Sequence, residues 1–302
     1  MDPKRKGALP DMTLQRATLI GGTGFVGRAL IARLLADGVE VRAVARNAES
    51  AQELPQGLER RSADVGDPQA LREALAGADA AVYLPGQVQG RRRADFLKLH
   101  VLGAQRCAEL ASEQGLTRFI YLSALGASRN APAWSDQTKA EGEERVRQAF
   151  PGACIVRPSL VLGPGDHFST DMLGLMRKLP ILPVIGPDTR VQPVHIDDLS
   201  QALYGLLNQT SDPPPVIQAA GPKVWRLIDL LAALRDQAGL RCRLLPLPHW
   251  AAMLLASVAG LMPGAPICRD QVRLMRTDKI ADPAHPDLTS LGIRPRHPPG
   301  LG

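Results

Sequence analysis

Aromatic side chains are scarce in this sequence: five Phe, three Trp and three Tyr make up 4% of 302 residues. A surface that stacks nucleic-acid bases needs a richer supply, so nucleic acid is not the expected partner. Cys107, Cys154, Cys242 and Cys268 lie far apart and make no CxxC pair, and the six histidines show no HxxxH or HExxH spacing. Neither a metal site nor a disulfide framework is expected, and a reducing compartment is the default. No apolar run reaches the roughly 18 residues that a membrane-spanning helix needs. The basic opening, Met1-Asp2-Pro3-Lys4-Arg5-Lys6, lacks the apolar stretch of a secretory signal; 1–12 reads as a flexible tail, or as sequence upstream of a start at Met12. The expected location is cytoplasmic.

What remains is an ordinary globular composition, 45% hydrophobic and 22% charged, with a net charge of +6 that suits anionic ligands or surfaces. Short, mostly apolar runs at 14–20, 39–45, 80–84, 119–122 and 153–156 read as strands, with 60–63 a short third strand in the series, and the helical patterns between them place a parallel sheet. Beyond Pro158 the rhythm loosens. A strand over 191–195 and a helix over 197–207 are expected to return to the sheet, followed by a strand over 216–220. The remainder reads as mostly helical, over 224–237, 250–262 and 266–276. The expected architecture is α/β: a doubly wound Rossmann domain over 13–160, rejoined by 190–220, and a smaller, mostly helical substrate-type domain from 161–189 and 221–302.

Between the first strand and the first helix stands Gly21-Gly22-Thr23-Gly24-Phe25-Val26-Gly27. The first glycine of such a loop makes a sharp turn. The second lets backbone approach a pyrophosphate, and the third lets helix pack on strand. The helix N-terminus then offers free N–H groups and a partial positive charge to the anion. A lone GxxGxxG is weak evidence, but its strand–turn–helix setting makes it strong.

The second strand bears on which dinucleotide is held. Ala45-Arg46-Asn47 offers no acid for a ribose 2′-hydroxyl, whereas Arg46 suits the 2′-phosphate of NADP, with Arg28 or Arg42 as helpers. NADP(H) is therefore expected over NAD(H), with a solvated Arg46 as the competing reading. Asp64-Val65 follows the third strand, where Asp64 is either an acceptor for the adenine amino group or a turn residue.

With those residues in place, the chain resembles the extended and atypical short-chain dehydrogenase/reductases. Further matches are Phe119-Ile120-Tyr121-Leu122-Ser123, Thr138-Lys139-Ala140-Glu141-Gly142-Glu143 and Val156-Arg157-Pro158-Ser159. Ser123-Ala124-Leu125-Gly126-Ala127, Gln192-Pro193-Val194-His195-Ile196-Asp197-Asp198 and Arg269-Asp270-Gln271-Val272 point within it to the branch holding the dinucleotide-binding accessory subunit of respiratory complex I and its bacterial relatives.

The resemblance implies a catalytic Tyr four residues before a Lys on one helix, with a Ser at the preceding strand end. Lys lowers the Tyr pKa and holds the ribose, and Tyr relays the proton. Ser123 and Lys139 match, but the Tyr position is Ser135, whose hydroxyl is a far weaker acid. Pro158 and Ser159 fall where relatives contact the nicotinamide end, and His100 where relatives often carry Asn. For Lys139, Ser123, His100 and Pro158-Ser159, purely structural roles compete with these.

The resemblance also implies a membrane-associated or respiratory-complex partner, peripheral to the inner membrane. The expected function is NADP(H) holding in a structural, regulatory or redox-sensing role linked to respiratory or quinone chemistry. The alternatives are an active oxidoreductase or epimerase/dehydratase-like enzyme with a non-Tyr proton donor, and a scaffold with an empty groove. Arg91-Arg92-Arg93 reads as a solvated run or an anion-facing one. The apolar 250–262 segment is expected to be buried in the smaller domain, with surface docking as the other reading.

Overall fold

The computed structural model describes residues 14–259 and 268–301, apart from 50, 52, 53, 56, 88, 89 and 91. The expected tail, Arg91 and the connection between the last two expected helices lie outside the described residues.

The chain opens with β1 (Arg16–Ile20), α1 (Phe25–Ala36), β2 (Glu40–Ala45) and β3 (Glu59–Ser62). α2 (Pro68–Leu75) starts on Asp67, whose carboxylate accepts from Gln69 and Ala70 N–H, with Pro68 at the first helical position, where no N–H is needed. β4 (Ala80–Tyr83) leads to one long helical rod, α3 (Arg93–Phe96), a π-helical segment (Leu97–Gly103) and α4 (Ala104–Glu113). β5 (Arg118–Leu122), α5 (Trp134–Ala149) and β6 (Cys154–Pro158) complete the first half.

The second half runs β7 (Val161–Leu162), α6 (His167–Lys178), β8 (Ile181–Ile185), β9 (Arg190–Val191), β10 (Val194–His195) and α7 (Ile196–Asn208). Then follow β11 (Val216–Ala219), β12 (Trp225–Arg226), α8 (Leu227–Gln237), β13 (Arg243–Leu247), α9 (His249–Ala259) and α10 (Arg269–Leu274).

Seven parallel strands form one sheet in the order β11-β6-β5-β4-β1-β2-β3. The two-residue period sorts its side chains. Ala80, Val82, Ile120 and Leu122 face Leu30, Leu34, Leu199 and Leu203 of α1 and α7. Ala81, Tyr83, Phe119 and Tyr121 face Leu71, Cys107, Ala108 and Val146 of α2, α4 and α5. Both faces are covered, the condition under which a parallel sheet is stable.

The single strand expected over 191–195 is two. β9 pairs antiparallel with β12 and β10 parallel with β7, each in a ribbon outside the main sheet. Pro193, which has no N–H to give a ladder, stands between them. α7 and β11 do return, α7 against α1 and β11 beside β6. The C-terminal part is also less helical than expected, since β8 and β13 form a further parallel ribbon and Trp225–Arg226 belongs to a strand ahead of α8.

Candidate dinucleotide and catalytic site

The glycine loop joins the C-terminal end of β1 to α1, at the sheet's centre. Gly21 adopts φ +79°, in the left-handed region that side chains disfavour, and its N–H donates to Val44 O at 2.7 Å. A β-carbon on Gly27 would lie 2.3 Å from Gly22 O, so this glycine lets the helix lie on the loop. Gly24 differs. A β-carbon there would meet only Gly21 O, at 3.3 Å, and would otherwise project into open space before the helix. Gly24 is the N-cap of α1, no side chain caps it, and the first turn, which begins with Phe25 and Val26, carries no acid. The amides at this end thus carry a partial positive charge toward space that, among the described residues, no side chain caps, and the cradle fits a dinucleotide pyrophosphate. Thr23 contributes backbone, its carbonyl accepting from Arg28 Nη1 at 3.1 Å.

Arg46 is exposed just past β2, within the same strand-end rim. Arg42 is no helper. It is buried, donates to Ala74 O and Ala76 O, and pairs with Glu59 at 2.9 Å, tying β2 to α2 and β3. Asp64 closes a turn, its Oδ1 accepting from Gly66 N–H at 2.7 Å. Val65 packs at Gly103, and its carbonyl accepts from Arg106.

Lys139 lies buried on α5, its Nζ donating to Leu122 O at 2.6 Å and Pro85 O at 3.3 Å, over the Tyr121 ring. With carbonyls rather than a touching carboxylate as partners, burial pulls its pKa down to about 7. The Ser123 hydroxyl donates to Glu143 Oε1 at 2.5 Å, and Glu143 is clamped in turn by Arg157 through two bonds. Ser123 is therefore bound to a buried ion pair that joins β5, α5 and β6. Ser135 is 4% exposed, and its hydroxyl oxygen has no hydrogen-bond partner.

His100 is fully buried. Its Nε2 accepts from Gln87 N–H at 3.0 Å, so the neutral ring carries its proton on Nδ1, which donates to Thr138 Oγ1 at 2.9 Å. Burial, aided by the Lys139 charge, pushes its pKa down to about 2. The ring braces the loop after β4 against α5 and does not gain a proton in the physiological range. Tyr83 and Tyr121 donate to Leu99 O and His100 O, at 2.7 and 3.0 Å. These carbonyls lie in the π-helical segment, where the wider turn disrupts the usual i→i−4 ladder. Burial raises both phenols well above their ordinary pKa.

Sequence reasoning did not reach the other wall. Asp270, on α10, accepts from Trp134 and Ser135 N–H, capping α5 from 135 residues away. Lys279 Nζ pairs with buried Asp136 at 2.6 Å. Ser159 Oγ, just past Pro158, donates to Lys279 O at 2.7 Å. The segment after α10 is thus strapped across the N-terminus of the Lys139 helix. A separate open cleft of about 690 Å³ is lined by residues from 186–189, 246–249 and 275–278; none of the site residues above lines it. Among the described residues no group of three or more His, Cys, Asp or Glu side chains is arranged to hold a metal ion.

A family model described as NAD(P)H-binding matches residues 21–159. The chain is 29% identical, over 97% of its length and 80% of the relative's, to the mitochondrial NADH dehydrogenase [ubiquinone] 1 alpha subcomplex subunit 9 of Mus musculus. The chain is an atypical short-chain dehydrogenase/reductase. Within that superfamily it stands near the branch of this complex I subunit. This reductase-fold protein is also 33% identical to the ceramide reductase of Caulobacter vibrioides over 187 residues, which cover 61% of this chain and 58% of that one. A nucleoside-diphosphate-sugar epimerase of Staphylococcus aureus shares the fold, with a TM-score of 0.74 at 15% identity, over 94% of this chain and 98% of that one.

Proposed function

We propose that this short-chain dehydrogenase/reductase holds NADP(H) without the usual Tyr-driven turnover, in a structural, regulatory or redox-sensing role linked to respiratory or quinone chemistry. The fate of its tyrosines carries the reading. The sequence has three. Tyr83 and Tyr121 spend their hydroxyls on helix carbonyls, and Tyr204 faces Asp37, at the opposite end of α1 from the glycine loop. None stands where a phenol relays a proton; Ser135 occupies that position.

The cofactor, when bound, supplies hydride chemistry. The chain's own part is to hold it. The α1 amides grip the pyrophosphate, Arg46 meets the 2′-phosphate, and Lys139 meets the ribose near the ends of β4 and β5. Pro158 and Ser159 border the nicotinamide end, while Ser123, Ser135 and Asp64 stay structural. The likeness to the complex I subunit supports the respiratory setting.

Mass spectrometry of the nucleotide that copurifies with the full chain, followed by steady-state assays with quinones and aldehydes, tests this reading. The expected result is bound NADP(H) and no steady NADPH oxidation. Turnover near 1 per second or faster, typical of an enzyme, overturns it.

One observation favours a second reading: the match to the ceramide reductase. On it the protein reduces a carbonyl of a ceramide-like lipid, with water held by Ser135 as the proton source. NADPH oxidation that requires such a lipid selects it.

A further inference from the structure

α9 is not the buried helix the sequence suggested. Ala252 and Ala256 face Val272, Ile185 and Leu247, while Trp250, Leu254 and Leu255 on its outer side are exposed, Trp250 by 72%. The neighbouring ribbon repeats the arrangement. Leu182 and Val184 of β8 face inward, whereas Ile181 of β8 and Leu245 of β13 face out. With Leu179, these hold six of the eight exposed large hydrophobics among the described residues. A patch so concentrated marks an interaction surface.

Charge identifies the occupant. Arg177, Lys178, Arg241 and Arg243 are exposed around the patch, and none of their side chains has a hydrogen-bond or ion-pair partner among the described residues. No Asp or Glu occurs in 177–187 or in 241–268. Such a face repels a second copy of itself, because a two-fold contact would set cations against cations. A fluid anionic surface with an apolar interior satisfies both features, with Trp at the interface and Arg and Lys at headgroup level. No described helix is long and apolar enough to cross a membrane. α9, at 11 residues and therefore about 16 Å, can lie in the interface but cannot span it.

We propose that the outer faces of α9, β8 and β13 seat the protein on an anionic phospholipid bilayer. This goes beyond the nucleotide site and does not depend on turnover. The test is sedimentation of the full chain with vesicles of phosphatidylcholine alone and of phosphatidylcholine mixed with phosphatidylglycerol. Selective binding to the anionic vesicles, weakened by salt, is expected. Trp250→Ser with Leu254→Ser, and separately Arg241→Glu with Arg243→Glu, should each lower partitioning by about tenfold or more. Circular dichroism melts should match the unmutated chain, separating lost docking from lost fold. No vesicle binding by the unmutated chain, or partitioning unchanged in both variants, overturns the proposal. A dimer that Trp250→Ser with Leu254→Ser dissolves, without vesicle binding, also overturns it and gives the face to a second copy.

Discussion

Asp270 meets Trp134 through a long-range helix cap: its Oδ1 accepts the Trp134 N–H at 2.7 Å, and its Oδ2 takes that of Ser135 at 3.1 Å. The carboxylate is 1% exposed and sits at the positive end of α5, where a negative charge is favoured. Asp270→Ala is expected to destabilise the fold by about 2 kcal/mol, the upper range for loss of an N-cap that also strands buried donors. Asp270→Asn, keeping one acceptor, should cost less. Urea unfolding reads both, and an unchanged midpoint in the alanine variant refutes the cap.

Two glycines of one loop should fail in different ways. Gly24→Val puts a side chain into the open space before α1 and should remove detectable NADPH binding while leaving the melting temperature near that of the unmutated chain. Gly27→Ala forces a methyl against Gly22 O and should destabilise the fold by about 3 kcal/mol, as overpacking does. Titration paired with thermal melts separates the two. NADPH affinity preserved in Gly24→Val removes the loop from the cofactor site.

Arg46→Ala is expected to weaken NADPH by roughly 10- to 100-fold, the worth of a hydrogen-bonded charge contact, and to leave NADH within about twofold. Equal losses for both nucleotides would take Arg46 off the 2′-phosphate.

His100 makes acid stability readable. Its folded pKa is about 2, whereas the unfolded chain takes up this proton near 6.5. Between those values the unfolded state binds more protons. The group's full contribution is therefore present above about pH 6.5 and declines as pH falls, by up to about 1.4 kcal/mol per pH unit. His100→Gln should flatten the pH dependence of unfolding between about pH 6 and 4 by close to one proton. A slope identical to that of the unmutated chain would mean the imidazole is protonated in the fold.

The glycine loop and the seven strands of the main sheet were legible because their signals are local: a short, mostly apolar run, a turn, a helical period. Ser135 in place of Tyr was legible from a four-residue spacing. The Asp270 cap and the Lys279–Asp136 pair were not, because their partners lie 135 and 143 residues apart and nothing in either segment names the other. Glu143 left a faint signal, standing one helical turn after Lys139 on a face that must be buried. The π-helical segment gave none, since Leu97-Lys98-Leu99-His100-Val101-Leu102-Gly103 has an ordinary helical pattern and only the tertiary fit widens its turn.

That widened turn fixes something a regular helix would leave adjustable. Two phenols rooted in adjacent strands grasp successive carbonyls of the rod, so a one-residue slide would disengage both at once. Rod and sheet behave as a ratchet with a single tooth engaged. A one-residue deletion within 97–103, though it would restore a regular helix, should therefore disturb the fold more than most substitutions there.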